Sequence, residues 1–358
     1  MPPRIDRNLR RYTSSWRILI PIVFLSFFSF IIAGYPNDNK ETPQDERNRS
    51  AKQKLDTIME QEVSQRKANG YAVGVEVDLV MMYTSVFDKD GNFVSGLKED
   101  NFKLYEDNVE QQITSFDQED VPVTMGIILD LSGSMRSKLI QVQNAASSFI
   151  RASNPQDQVF LIGFTEEVEL LQDFTSDIDE INDALENTYA MGGTALYDAI
   201  YLGVQKAHEG SRAKKAVVVI SDGEDLDSYY KLDELIAKVQ ESDVQAFCIG
   251  FIDESDEKSL FPFLKSKKEK VKDVLKQISE ETGGKAFFPD TLTDIHSIVS
   301  EIAKELRNQY SIGYTSSNTA HDGTFRRVKI KLVGDKVDNN HLRYRRGYFA
   351  PKTEITRN

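Results

Sequence analysis

Val123-Thr124-Met125-Gly126-Ile127-Ile128-Leu129-Asp130-Leu131-Ser132-Gly133-Ser134-Met135 decides how the rest of the chain is read. The apolar run from Met125 to Leu129 meets an acid, Asp130. Two hydroxyls follow at alternate positions, Ser132 and Ser134, with Gly133 between them. A short continuous apolar run bounded by turn residues is the pattern of a strand buried on both faces of a parallel sheet. The acid and the hydroxyls then fall where that strand ends and the next helix begins. Open α/β sheets bind ligands at this edge.

Strand and helix patterns alternate downstream of this stretch. Leu139, Val142, Ala146, Phe149 and Ile150 keep helical spacing, and residues 159–164 form an apolar strand pattern. Ile178, Ile181 and Leu185 share one helix face, and Leu196, Ala199, Ile200, Gly203 and Val204 share another. Residues 216–220 read as a buried strand, Leu232, Leu235, Ile236 and Val239 as a helix, and 246–249 as a strand. Leu275 and Ile278 lead to Gly283-Gly284, a helix C-cap signal, and 286–288 follow as a strand. Ile295, Ile298, Val299, Ile302 and Leu306 mark a final, very regular helix. The alternation predicts an α/β domain over 121–307: a doubly wound, mostly parallel sheet flanked by helices.

The flanks have a different period. Val75, Val77 and Leu79 alternate with Glu76, Asp78 and Val80, and 102–105 and 112–116 are strand-like. Asp88-Lys89-Asp90-Gly91-Asn92 resembles half of a calcium loop, but its glycine comes too early, and Asp-Gly is a strong hairpin signal. Beyond the α/β body, 309–314, 326–332 and 342–349 again read as strands. The β segments 71–120 and 308–358 are expected to pair into one small β-sandwich, with the α/β body inserted between its strands.

The N-terminus is a separate matter. Residues 18–33 are uncharged and apolar behind five arginines, within a 1–34 segment that is a signal peptide or a transmembrane anchor. The long arginine head and the poor small-x-small pattern favour the anchor. Either reading leaves the arginines in the cytoplasm and places the body in the cell envelope, facing the periplasm or the exterior, or secreted after cleavage. Residues 35–70 are a polar linker. The formal charge is −13, and residues 1–33 carry +4, which leaves the remainder at −17. An acidic body repels phosphate backbones and excludes nucleic acid as the partner, yet suits divalent cations. The single cysteine, Cys248, sits in an apolar strand and reads as a core thiol.

Three loops facing one sheet edge supply oxygen donors. The first is Asp130-x-Ser132-x-Ser134, the second is Gly192-Gly193-Thr194, and the third is Ser221-Asp222-Gly223-Glu224-Asp225. Magnesium takes octahedral oxygen coordination and keeps some of its waters. Two serines, a threonine and two aspartates suit it, or manganese, better than calcium. The absence of histidine and cysteine from these loops disfavours zinc and copper. Taken singly, Asp-Leu-Ser-Gly-Ser also reads as a helix N-cap. Asp198, Glu224, Asp225 and Asp227 read as caps or solvated acids.

In this combination and order the three loops resemble the metal-ion-dependent adhesion site of the von Willebrand factor type A family, over roughly 121–306. The resemblance implies Ser132, Ser134 and Thr194 as direct metal ligands, with Asp130 and Asp222 acting directly or through water and hydrogen bonds. All five motif positions are filled. It further implies binding of a protein partner that supplies an acidic side chain to the metal, without turnover, and a final helix that shifts when the site is occupied. The segments 96–102 and 346–351 resemble bacterial exported proteins of the family. The alternatives are a metal-assisted hydrolase or a scaffold with a vestigial site. The hydrolase lacks an identifiable base: His208, His296, His321 and His341 all lie outside the motif loops. There is no G-x-S-x-G and no phosphate-binding glycine loop. Residues 251–273, which start on the metal-loop edge, read as a solvated helix extension, with a determinant of partner choice as the alternative.

Overall fold

Strands from both ends of the chain share the outer sheets. A computed structural model describes residues 79–352, apart from 119, 152, 253–265 and 335–340. The N-terminal apolar run, the linker, the strand pattern before Leu79 and much of the 251–273 segment lie outside the described residues. Among the described residues no helix is long and apolar enough to cross a membrane.

In chain order the first strands are β1 (Leu79–Phe87), β2 (Phe102–Glu106), β3 (Val109–Gln111) and β4 (Ile113–Asp117). The α/β body follows: β5 (Val123–Asp130), α1 (Leu139–Arg151), β6 (Gln158–Phe164), β7 (Val168–Thr175), α2 (Ile178–Glu186), α3 (Leu196–Glu209), β8 (Lys214–Ser221), α4 (Leu232–Glu241), β9 (Gln245–Gly250), α5 (Lys267–Thr282), β10 (Ala286–Phe287) and α6 (Ile295–Arg307). Then come β11 (Tyr310–Thr315), β12 (Phe325–Leu332), β13 (His341–Arg343) and β14 (Gly347–Phe349).

The central sheet runs β10-β9-β8-β5-β6-β7, parallel except for β7. Every residue of β5 is buried, as its unbroken apolar run requires. Apolar side chains of the sheet and its helices form one core with α1, α2 and α6 and another with α3, α4 and α5. The doubly wound, mostly parallel architecture read from the sequence is the one observed. Antiparallel β7 is an addition, since its alternation is weak and it is only partly buried at the sheet edge. Gly283 closes α5 in the left-handed conformation expected of it. Cys248 is fully buried, and burial pushes its thiol up to about 12.

Two antiparallel sheets flank this body, ordered β13-β1-β11-β4 and β14-β12-β2-β3. Each mixes strands from before and after the α/β body. Their facing side chains share one apolar core that includes Met82, Leu104, Tyr310, Ile312, Tyr314 and Ile330. Phe102 of β2 packs against Phe116 of β4 and Tyr310 of β11, across the gap between the sheets. The strand pattern at 342–349 proves to be two short strands, β13 and β14, one in each sheet, because the chain crosses from one layer to the other at Tyr344–Arg346. Residues 88–92 form a turn: the Asp88 carboxylate accepts from the Asp90 and Asn92 N–H groups, and Gly91 takes a positive φ of 82°.

A buried polar cluster ties α6 to the flanking sheets. Glu305, fully buried, takes two hydrogen bonds from Arg343 Nη1 (2.8 and 2.6 Å) and one from the Ser85 hydroxyl (2.9 Å). Burial pushes the Glu305 carboxyl up, and Arg343 and Ser85 oppose that shift. Lys214, also fully buried, donates from Nζ to the Leu306 carbonyl at 2.6 Å. A shift of α6 of the kind the resemblance implies has to break these contacts.

Arg343→Met strands a buried carboxylate and is expected to cost about 3 kcal/mol in urea unfolding. Adding Glu305→Leu should recover much of the loss. Burial lowers Lys214 from 10.5 to about 8. Between those values the unfolded chain holds a proton that the folded chain has released, so the Lys214 contribution makes stability rise with pH. Wild type should therefore gain about 2–3 kcal/mol on Lys214→Met between pH 7.5 and 10. Parallel stability profiles of the two proteins would contradict this.

Candidate functional site

Parallel register brings the candidate loops to one edge. Leu129 of β5 lies opposite Ile220 of β8, so Asp130 and Ser221 end their strands side by side. Asp130 is fully buried. Its Oδ1 accepts from the Ser132 N–H at 2.9 Å, and its Oδ2 accepts from the Ser221 hydroxyl at 2.6 Å. Burial pushes its pKa above the usual carboxylate range, hydrogen bonds from Ser132 and Ser221 pull it back, and Asp222 nearby adds to the rise. Ser221 Oγ also accepts from the Gly223 N–H at 2.8 Å, so one hydroxyl fixes both the acid and the turn that follows β8. Gly223 takes φ 79°, a conformation that favours glycine.

Ser132 is buried and Ser134 exposed, with their hydroxyl oxygens 3.0 Å apart. The Thr194 loop is sewn to both neighbours. Met191 N–H donates to the Leu131 carbonyl at 2.7 Å, and Gly133 N–H donates to the Gly192 carbonyl at 3.2 Å. Thr194 N–H donates to Asp227 Oδ2 at 2.8 Å, while its carbonyl accepts from the N–H groups of Leu226 and Asp227. Asp222 is half-buried, and its Oδ1 is buried with no hydrogen-bond partner among the described residues. Ser134 and Asp222 line a cavity of about 230 Å³ together with Lys138, Glu224, Phe251 and Lys268. Phe251 and Lys268 belong to the described ends of the 251–273 segment.

All five candidate residues thus lie on loops that hydrogen bonds join directly, or at the strand end those loops enclose. The capping reading of the other acids also finds support. Asp198 accepts from the Tyr229 and Tyr230 N–H groups, and Asp225 accepts from the Tyr197 N–H and the Ser228 hydroxyl. Burial pushes both carboxyls up. Asp227 braces Thr194 through its backbone. Two contributors have no role assigned from the sequence. Ser221 is one, read there only as the first residue of the third donor loop. The other is Glu166, which accepts from the Gly193 N–H at 2.8 Å and carries no sequence signal, because its contact is to backbone.

The donor set is hydroxyl-rich. Among the described residues no group of three or more His, Cys, Asp or Glu side chains is arranged to hold a metal ion. Oxygen ligands at adjacent corners of an octahedron with bonds of about 2.1 Å are about 3.0 Å apart, which matches the separation of the two serine hydroxyls. A buried carboxylate oxygen with no donor is costly in a protein interior, and a cation would satisfy Asp222 Oδ1. The residues present therefore fit a small, hard divalent ion.

Residues 125–301, just under half of the chain, match the family model of the von Willebrand factor type A domain. No curated protein matches the chain at a significant level. Solved structures with similarity include an aerotolerance-related membrane protein from Bacteroides fragilis, at 22% identity over 51% of this chain and 98% of that chain, TM-score 0.40. Another is a von Willebrand factor type A protein from Catenulispora acidiphila, at 14% identity over 80% of this chain and 76% of that chain, TM-score 0.44. A third is the vWF domain of the type V pili tip protein Mfa5 from Porphyromonas gingivalis, at 12% identity over 52% of this chain and 95% of that chain, TM-score 0.42.

Ser221→Ala removes the donor to Asp130 and the acceptor for Gly223 together. It should cost about 1–3 kcal/mol in urea unfolding. Exposed Ser134→Ala should stay within about 0.5 kcal/mol of wild type. Equal effects of the two substitutions would contradict this account of the loop.

Proposed function

We propose that the edge loops hold a divalent cation, magnesium or manganese rather than calcium, and through it bind an acidic side chain of a partner protein outside the cytoplasm. The observation that carries this reading is the pairing of two serine hydroxyls 3.0 Å apart with a buried Asp222 oxygen that no donor satisfies. Ser132, Ser134 and Thr194 are the direct ligands in this reading, and Asp222 acts on the ion directly or through water. Asp130 already has both oxygens engaged by Ser132 and Ser221, so its part is to position the first loop and contribute negative charge from below. When bound, the ion supplies a positive centre that accepts one further carboxylate oxygen.

Neutral donors leave such an ion underneutralised, which favours a charged ligand from outside over another water. The match of 125–301 to the von Willebrand factor type A domain supports the same reading. We read the site as one for binding, not turnover. Among the described residues the histidines lie on other parts of the structure: His208 in the last turn of α3 beside Asp243, His296 in the first turn of α6, and His321 and His341 in the flanking β region. The location outside the cytoplasm rests on the arginine-headed apolar run near the N-terminus.

Magnesium titrated into chelator-treated protein should bind at one site and, at 100 times its dissociation constant, raise unfolding stability by about 2.7 kcal/mol. Ser134→Ala, which leaves the fold intact, should weaken binding at least tenfold by calorimetry. Wild type that gives no binding heat and no stabilisation, or a Ser134→Ala variant that binds as wild type does, would overturn the proposal.

A further inference from the structure

Large apolar side chains left in water and gathered at one place mark surfaces that a partner covers. Tyr189, Met191 and Leu226 are 69%, 51% and 64% exposed. Tyr189 and Met191 stand just ahead of Gly192-Gly193-Thr194, and Leu226 stands four residues after Asp222. The backbone fixes Met191 and Leu226 at this edge, and Tyr189 stands two residues before Met191. Met191 N–H is bonded to the Leu131 carbonyl on the serine loop, and Leu226 N–H to the Thr194 carbonyl. These bonds use main-chain atoms alone, so the fold at Met191 and Leu226 would be served equally by polar side chains. Neighbours on the same loops are polar and engaged: Asp225, Asp227 and Ser228 each hold a backbone or hydroxyl group.

Charge narrows what such a rim can accept. Glu166, Glu224, Asp225 and Asp227 lie on or brace the loops that carry the three apolar residues, and Arg136 Nε donates to the Ala190 carbonyl, between Tyr189 and Met191, at 3.3 Å. The formal charge of −13, with +4 in residues 1–33, leaves the body at −17, so partner carboxylates beyond the one on the cation meet a net-acidic body, which is destabilising. The lysines of the edge, Lys138 and Lys268, lie in the cavity with Ser134 and Asp222, and Lys138 stands 5.7 Å from the centre of the Phe251 ring.

We propose that Tyr189, Met191 and Leu226 form an apolar rim that selects the partner. It recognises bulky apolar residues beside the carboxylate that the metal binds. The partner segment is then a single Asp or Glu flanked by Leu-like or Phe-like side chains, not an acidic cluster. This rests on the metal reading above and adds the specificity of the same site. The cation provides a point of attachment common to any carboxylate, and the rim provides the discrimination.

The test uses three blocked pentapeptides, each with a central Asp flanked by glycines, by leucine and phenylalanine, or by glutamates. Each is titrated into the magnesium-loaded chain. The apolar-flanked peptide should bind at least tenfold more tightly than the glycine-flanked one, and the glutamate-flanked peptide no more tightly than the glycine-flanked one. In Met191→Ser/Leu226→Ser the apolar advantage should fall to about twofold or less, with magnesium affinity unchanged. Equal affinity of the apolar and glycine peptides, tightest binding of the glutamate peptide, or an advantage that survives the double substitution would overturn the rim while leaving the metal site standing. No magnesium-dependent binding of any peptide would overturn both.

Discussion

A fully buried carboxylate must have its oxygens satisfied, and the candidate site is organised around how Asp130 meets that demand. One oxygen takes the backbone N–H of Ser132 and the other the hydroxyl of Ser221. The first bond shapes the serine loop at the end of β5, and the second binds that loop to the end of β8. Parallel pairing of the two strands makes this possible, because residues in register at the same edge end together. The Thr194 loop joins both through main-chain bonds, so three segments distant in sequence meet at one edge.

The two outer sheets face each other across one core, and the α/β body is inserted between their strands. Both sheets mix strands from the two ends of the described chain, so the body is entered from one layer and left into the same layer: β4 precedes it, β11 follows it, and the two pair. At the exit, Arg343 Nη1 donates to both carboxylate oxygens of buried Glu305, and Lys214 donates to the Leu306 carbonyl. A buried ion pair contributes little net stability against an apolar alternative, yet losing one partner is costly. Its consequence here is geometric: the last turn of α6 is fixed relative to β1 and β13. A displacement of α6 works against this clamp.

Much of this was legible in the sequence. The buried strand at 123–130, the alternation after it, the Gly283 cap and the Asp88 turn each follow from local chemistry that leaves little choice: continuous apolar runs, helical stripes, a glycine where φ is positive. The parts that were not legible depend on partners distant in the chain. Strand β7 is an edge strand whose pattern is only half apolar. The split of 342–349 into β13 and β14 depends on which sheet each half joins, and an alternating pattern satisfies either. At the site, the five motif positions could be named because their side chains carry oxygen in a recognisable order. Glu166 and Ser221 act by holding a backbone N–H and a neighbouring carboxylate, functions that many polar residues perform elsewhere without meaning. The apolar rim was invisible for a related reason: Met191 and Leu226 look like core residues until their exposure is known.

The most direct test of the central claim is a crystal structure of the chain grown with manganese, with an anomalous difference map collected at the manganese edge. The account predicts one strong peak in contact with the hydroxyls of Ser132 and Ser134, within reach of Thr194 and Asp222, and no peak there in crystals of Ser134→Ala. An empty edge in the wild-type map, or a peak on surface carboxylates with the two serine hydroxyls still hydrogen-bonded to each other, would contradict it.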